Sequence, residues 1–361
     1  MRNYNKTWML ILAVMTWFGC DNGPGVDPPE AYEMGVFIVN EGPFQNGTGS
    51  ISFFDRTSGA VEHKIFQTAN SGAVLGNIVQ SYEVHQERGY AVVNNAGKVE
   101  VVDADNFSTA GTITGLDQPR YFLGINDSKG YVSQWGATGV DGSVQVVDLM
   151  TLTVTASIST GSGAGRMLMN GDKVYVVNGG GFGSDNTVSV INTATDEVEA
   201  TITVGDNPNS LQLDANGKLW VLCGGRKVYD PMTFELDTAA STRGALYRIN
   251  TQSNAEELNF AFDDVSASPS NLIVNQAGTT LYYGYAGSVY AQNVNENTPA
   301  TTAFIGRDFY GMGIDPASGY IYGADAGDFT SPGQVIRYDG STGAAIDTLE
   351  ADVIPNGFYF R

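Results

Sequence analysis

One pattern limits the fold of this chain more than any other: a strand-like element with alternating apolar positions, usually opened by Gly and closed by Asp or Asn, returns seven times. It reads GSISFFD at 49–55, GKVEVVD at 97–103, GSVQVVD at 142–148, NTVSVIN at 186–192, GALYRIN at 244–250, GSVYAQN at 287–293 and GQVIRYD at 333–339, at intervals of 48, 45, 44, 58, 43 and 46 residues. Ahead of each copy lies a second β-rich run: VFIVN (36–40), YAVVN (90–94), YVSQW (131–135), VYVVN (174–178), LWVLC (219–223), LYYGY (281–285) and IYGAD (321–325). Alternating β-branched and aromatic residues bounded by Gly, Asn and Asp mark these runs as strands. Thr- and Val-rich outer strands follow, as in TVTASI (153–158) and EVEATITV (197–204). Four strands per unit at this period predict β-propeller blades. The first unit begins at its second strand, whereas PNGFYFR (355–361) reads as a first strand with nothing after it. The expectation is an all-β, seven-bladed β-propeller over residues 34–361, closed by the C-terminal strand pairing into the first blade, which removes exposed sheet edges.

Charge and composition narrow the chemistry. The 361 residues carry 18 Lys plus Arg against 39 Asp plus Glu, a formal charge of −21, so nucleic acid is not an expected partner. With two cysteines and two histidines, no disulfide framework is expected and no metal site built on thiolate and imidazole. Cys223, in an apolar strand, reads as a small core residue. His63 and His85 read as surface or half-buried imidazoles. The runs DADN (103–106) and GDFTSPG (327–333) lack the full ligand spacing of a calcium loop, and GGGFG (179–183) is a blade loop with no helix behind it to hold a phosphate.

Residues 1–19 read as an export signal: Arg2 and Lys6 precede an apolar stretch from Trp8 to Phe18 that is short for a membrane span. Its end, Trp17-Phe18-Gly19-Cys20, resembles a bacterial lipobox, with Trp17 where Leu is usual. That resemblance implies lipidation at Cys20; ordinary secretion with an unmodified Cys20 is the alternative. Residues 20–33, rich in Pro, Gly and acids, read as the acylated cysteine and a flexible tether.

The recurring V-x-V-[IV]-[DN]-x-x-T pattern, clearest in VSVINTATDEVEATITVGDNP (188–208), resembles the YVTN or YncE-like family of seven-bladed propellers. The opening VFIVNEGPFQNGTGSISFFD (36–55) behind a lipoprotein leader is similar to surface lipoprotein propellers that accompany TonB-dependent transporters, one branch of which captures cobalamin. The resemblance implies a lipid-anchored protein of the outer membrane, exposed at the cell surface, with a TonB-dependent receptor as partner and cobalamin or another corrinoid as bound ligand. No further cofactor is expected.

In a propeller, loops from second to third strands and from outer to next inner strands share one face around the channel, where function is expected. The twenty-residue blade-five loop (224–243), with Arg226, Tyr229, Phe234 and Arg243, is long enough to suggest a role. Aligned ends of second strands place Asn40, Asn94, Trp135, Asn178, Cys223, Tyr285 and Asp325 near this face. Starts of inner strands add Gln80, Arg120, Arg166, Asn209, Asn271, Tyr310 and Asn356, and the first loop adds Phe44. From these the expected ligand-binding set is Asn40, Phe44, Asn94, Arg120, Trp135, Arg166, Asn178, Asn209, Tyr229, Tyr285, Tyr310 and Asn356, amides and aromatic faces suited to a large carboxamide-bearing ligand. The competing reading of the asparagines is structural, since Asn tolerates left-handed backbone and bonds its own turn. Arg120 and Arg166 have a structural alternative too, bonding to carbonyls that face the channel.

Three functions compete: small-molecule capture, protein or glycan binding, and a propeller lactonase or lyase. Asp325, Glu41, His85 and Arg166 are the only loose acid, base or cationic candidates for the last, and they form no evident pair in sequence, so no catalytic residue is assigned and no enzyme is expected.

Overall fold

The computed structural model describes residues 32–44 and 47–361; the leader, Cys20 and most of the tether lie outside the described residues. Seven four-stranded antiparallel sheets are present. Blade 1 pairs its inner strand Pro355–Phe360 with Gly35–Asn40, which pairs in turn with Ser50–Asp55 and the short outer strand Val61–Glu62. The inner strands of blades 2 to 7 are Val79–His85, Pro119–Asn126, Ala164–Asn170, Pro208–Leu213, Ser270–Val274 and Gly311–Ile314. The expected closure is therefore present: the last strand of the chain completes the first blade, in a register running from Val36 opposite Phe360 to Asn40 opposite Pro355. Arg361 fastens this seam, donating through Nη1 to the Ala104 carbonyl at 2.9 Å and pairing with Asp105.

Two side-chain rules explain why the repeats fold alike. The third residue of every second strand is aromatic: Phe37, Tyr90, Tyr131, Tyr175, Trp220, Tyr282 and Tyr322, none more than 4% exposed. A large flat side chain at this point fills the gap between sheets that diverge outward from a common axis. The second rule concerns the closing Asp or Asn of each third strand. Its side-chain oxygen accepts the backbone N–H two residues on, and in six blades also the next one, as Asp55 does for Thr57 and Ser58 at 2.7 and 3.0 Å. Asp103, Asp148, Asn192, Asn250, Asn293 and Asp339 repeat the arrangement. The recurring acid or amide is thus a turn device.

Blade 1 departs from the repeat. Its outer strand is two residues long, and a short helix, Ile65–Ala69, packs Ile65 and Phe66 into the core formed with Phe37, Leu75 and Phe107. Among the described residues no helix is long and apolar enough to cross a membrane.

These observations set a stability prediction. Phe37 is fully buried and lies within 6.3 Å, centroid to centroid, of the rings of Tyr32, Phe53, Tyr82, Phe107 and Tyr359. Phe37→Ala should cost about 3–5 kcal/mol in denaturant unfolding. Deleting 355–361 should do more, abolishing the single cooperative transition and producing aggregation detectable by light scattering, because Gly35–Asn40 becomes an open edge.

Candidate functional site

The chain enters the channel through a repeated backbone bend. The residue just before the inner strand is left-handed in five blades: Ile78, Gln118, Gly163, Asn207 and Ile354, with φ between 53° and 65°. A β-branched residue adopts this conformation only at a cost of about 1–3 kcal/mol, so Ile78 and Ile354 are held there by their surroundings. In each case the bent residue's carbonyl accepts the N–H that follows the adjacent second strand, as in Asn94 N–H to Ile78 at 2.8 Å and Glu41 N–H to Ile354 at 2.8 Å. The bend turns the next residues toward the axis.

There they meet. Gln80, Arg120, Arg166, Asn209, Asn271, Tyr310 and Asn356, one from each inner-strand start, all line a central cavity of about 420 Å3. A second cavity of about 330 Å3 shares Arg120, Tyr121, Arg166 and Asn209 with the first and extends to Trp135. The Arg120 guanidinium lies 4.0 Å from the Trp135 ring centroid, and that of Arg166 lies 4.8 Å from Tyr121. On the opposite wall Glu41 accepts from Asn356 Nδ2 at 2.8 Å and from the Tyr310 hydroxyl at 3.1 Å. Burial and this carboxylate raise the Tyr310 phenol above its ordinary value, so it stays a donor. Burial lowers the Arg120 guanidinium from its ordinary value, partly offset by Tyr121 and Glu41; it remains charged near neutrality.

The ends of the second strands behave differently. Asn40 donates to Ile38, Ser50 and Ser52, Asn94 to the Pro119 carbonyl, and Asn178 to Thr187 and Ser189, all turned into the sheets. Tyr285 stacks on Phe262 at 4.5 Å and accepts the Asp264 N–H. Of the expected residues on these strand ends, Trp135 alone lines either of these two cavities. The reason is direction rather than reach: Val39 and Glu41 on either side of Asn40, and Val177 and Gly179 on either side of Asn178, line the cavities, whereas the asparagines between them turn the other way to their hydrogen-bond partners. Phe44 and Tyr229 are exposed loop residues outside both cavities. Tyr229 belongs to a projecting hairpin, bridged to Leu236, that carries Met232 and Phe234 on its tip.

Other singled-out residues have internal partners. Asp325 pairs with Arg307 at 2.7 Å, and His85 Nε2 lies 3.0 Å from the Asn126 carbonyl, outside the cavities. His63 sits 3.7 Å from Asp352. Cys223 is fully buried, with burial pushing its thiol up. Asp103 caps its own turn and Asp105 pairs with Arg361, while Asp328 accepts from Thr330 and Ser331. The loop 179–183 serves a different end: Phe182 donates its N–H to the Gly139 carbonyl and packs edge-on against Trp135 at 5.5 Å. Gly181 makes this possible, since at φ 60° a Cβ there would sit 2.0 Å from the Gly139 oxygen.

Sequence alignment of strand starts does not bring out Tyr121 and Glu83, both in the central cavity. Glu83 follows the inner ring by three residues, deeper along the same strand, and burial pushes its carboxyl up to about 7. With the folded value above the ordinary 4.5, the native protein retains this proton between those limits and the unfolded chain does not. The stability contributed is full below the window and is lost as pH rises through it. Glu83→Gln should therefore unfold at the same denaturant concentration as the parent below pH 4.5 and be about 3 kcal/mol more stable well above pH 7.

Comparison with known proteins agrees with this architecture. A quinonprotein alcohol dehydrogenase-like protein from Bacteroides thetaiotaomicron VPI-5482 superposes with a TM-score of 0.64 at 14% identity, over 91% of this chain and 78% of that one. A functionally unknown protein from Desulfotomaculum acetoxidans DSM 771 gives 0.65 at 11%, over 91% and 98%. A protein from Lactobacillus plantarum gives 0.63 at 13%, over 91% and 100%. At such identities the likeness is one of fold. No curated protein matches the chain. The family described as Domain of unknown function (DUF5074) matches residues 34–361, the whole propeller with its seven-residue inner ring, and the chain belongs to it.

Proposed function

We propose that this protein is a non-enzymatic binding protein that captures a small molecule at the mouth of the propeller channel. The observation that carries the reading is the convergence of one side chain per blade, amides and arginines with a tyrosine, on a single cavity beside Trp135. A propeller face of this kind suits a ligand that is wide, partly flat and edged with carbonyl and amide groups. Corrinoids such as cobalamin have that chemistry, and they are the ligands implied by the resemblance of residues 36–55 to surface propellers serving TonB-dependent transporters. A corrin ring is wider than the cavity, so it would lie across the mouth, with its edge groups reaching Gln80, Asn209 and Asn271 and a face against Trp135. In this reading Cys20 carries the lipid anchor at the outer membrane, and a TonB-dependent receptor takes the ligand onward.

The seven inner-ring residues bear on catalysis too. Two carboxylates line the central cavity: Glu41 has its oxygens engaged by Tyr310 and Asn356, and Glu83 lies deeper along its strand, while both histidines lie outside the cavities. Capture without turnover is the reading these contacts favour over a lactonase or lyase.

A second reading, binding of a protein or glycan, draws on the exposed aromatics of loops between second and third strands. Phe44, Phe182, Phe234 and Phe329 are each about half exposed or more. Such side chains gain burial only when something covers them.

Cyanocobalamin mixed with the protein and passed over a desalting column decides between the two. Co-elution of the red chromophore, reduced at least about tenfold in affinity by Trp135→Ala, is expected for corrinoid capture. A colourless protein peak would turn attention to the loop aromatics and a macromolecular partner.

A further inference from the structure

In a chain of net charge −21, cations are scarce and nearly all are spoken for. Ten of the lysines and arginines among the described residues lie within 4.0 Å of a carboxylate. Arg88 and Lys227 donate to backbone carbonyls, and Lys64 and Arg243 stand exposed on the surface. Only Arg120 and Arg166 are partly buried cations whose side chains have neither a hydrogen bond nor an ion pair among the described residues, and both line the same two cavities. The structural alternative, in which they bond channel-facing carbonyls, is not what the geometry contains.

What holds them is aromatic. Trp135 lies 4.0 Å from the Arg120 guanidinium carbon and Tyr121 lies 4.8 Å from that of Arg166. With each guanidinium carbon over a ring and no acceptor on its N–H groups among the described residues, those donors are left for a carboxylate or phosphate. It also removes side-chain freedom in advance, so less is lost on binding. Glu41, the acid that bears on Arg120, is turned to Tyr310 and Asn356 and does not neutralise either arginine directly. Two like charges in one cavity repel, and a shared anion relieves both.

We infer that Arg120 and Arg166 form a two-guanidinium seat for an oxyanion, a carboxylate or phosphate group carried by the ligand of the channel mouth. This rests on the capture reading for its location and narrows the ligand class: the molecule has at least one acidic group beside the part that meets Trp135. The seat selects against neutral ligands, because an uncharged group would leave two desolvated cations unpaired.

Isothermal titration at low ionic strength tests the seat directly, with inorganic pyrophosphate as the phosphate probe and citrate as the carboxylate probe. Saturable one-to-one binding of at least one probe is expected, weakened by added sodium chloride and by about tenfold or more in each of Arg120→Gln and Arg166→Gln. Which probe binds more tightly identifies the anion chemistry. Each arginine loses only its aromatic contact, with no hydrogen bond or ion pair, so both variants should stay folded and melt within a few degrees of the parent; a folded double variant that binds the probes equally well overturns the seat, as does absence of binding by both probes at millimolar concentration. Cyanocobalamin retention by the same double variant separates the two ideas. Retention unchanged while probe binding never occurs leaves capture standing and removes the seat; probe binding without corrinoid retention leaves the seat and removes the corrinoid.

Discussion

The pairing of Pro355–Phe360 with Gly35–Asn40 is the contact on which the rest of the propeller depends. Seven sheets packed face to face around an axis bury their large residues only if the last meets the first, and here both ends of the chain contribute to one sheet. The backbone ladder of that sheet closes the ring, and Arg361 extends the seam to the neighbouring blade through Ala104 and Asp105. Without this closure two blade faces would open to water together, so the closing strand governs far more buried area than its own six residues.

Closure also creates the site. A ring of seven equivalent inner-strand starts gives seven side chains a common destination, and in five blades a left-handed residue ahead of the strand sets their direction. At these starts the blades differ in chemistry: an arginine in blades 3 and 4, a tyrosine in blade 7, amides in the rest. The arginines keep their charge available because aromatic neighbours, rather than carboxylates, hold them. Loop packing serves the same end, with Phe182 of blade 4 bracing Trp135 of blade 3.

Much of this was legible in the repeats. Their phase predicts seven blades and the strap at the C-terminus, and the alignment of inner-strand starts anticipates all seven residues of the channel ring. The structure adds the physical reason for the repeated Asp or Asn, a side-chain cap on the next turn, and for the aromatic third residue of every second strand, a wedge between diverging sheets. The asparagines at the ends of second strands were harder to read. Asn40, Asn94 and Asn178 occupy the right height on the blade, yet their amide N–H groups donate to Ser52, to the Pro119 carbonyl of the next blade and to Ser189. Their sequence neighbours Val39, Glu41, Val177 and Gly179 line the cavities instead, so height along the strand was legible and the face each side chain takes at the strand end was not.

The sequence by itself determined the architecture, because periodic hydrophobicity, turn residues and the out-of-phase termini are local properties that survive without coordinates. Which chemistry-bearing residues meet was decided only by the tertiary structure. Arg166 of blade 4 meets Arg120, Tyr121 and Trp135 of blade 3, whereas Glu41 and Tyr310 are 269 positions apart and still share a hydrogen bond. The burial of Glu83 and the aromatic contacts of the two guanidinium groups likewise depend on neighbours brought in by the fold. Dielectric surroundings, and the presence or absence of a counter-charge, are sums over space, and no local reading of the chain contains them.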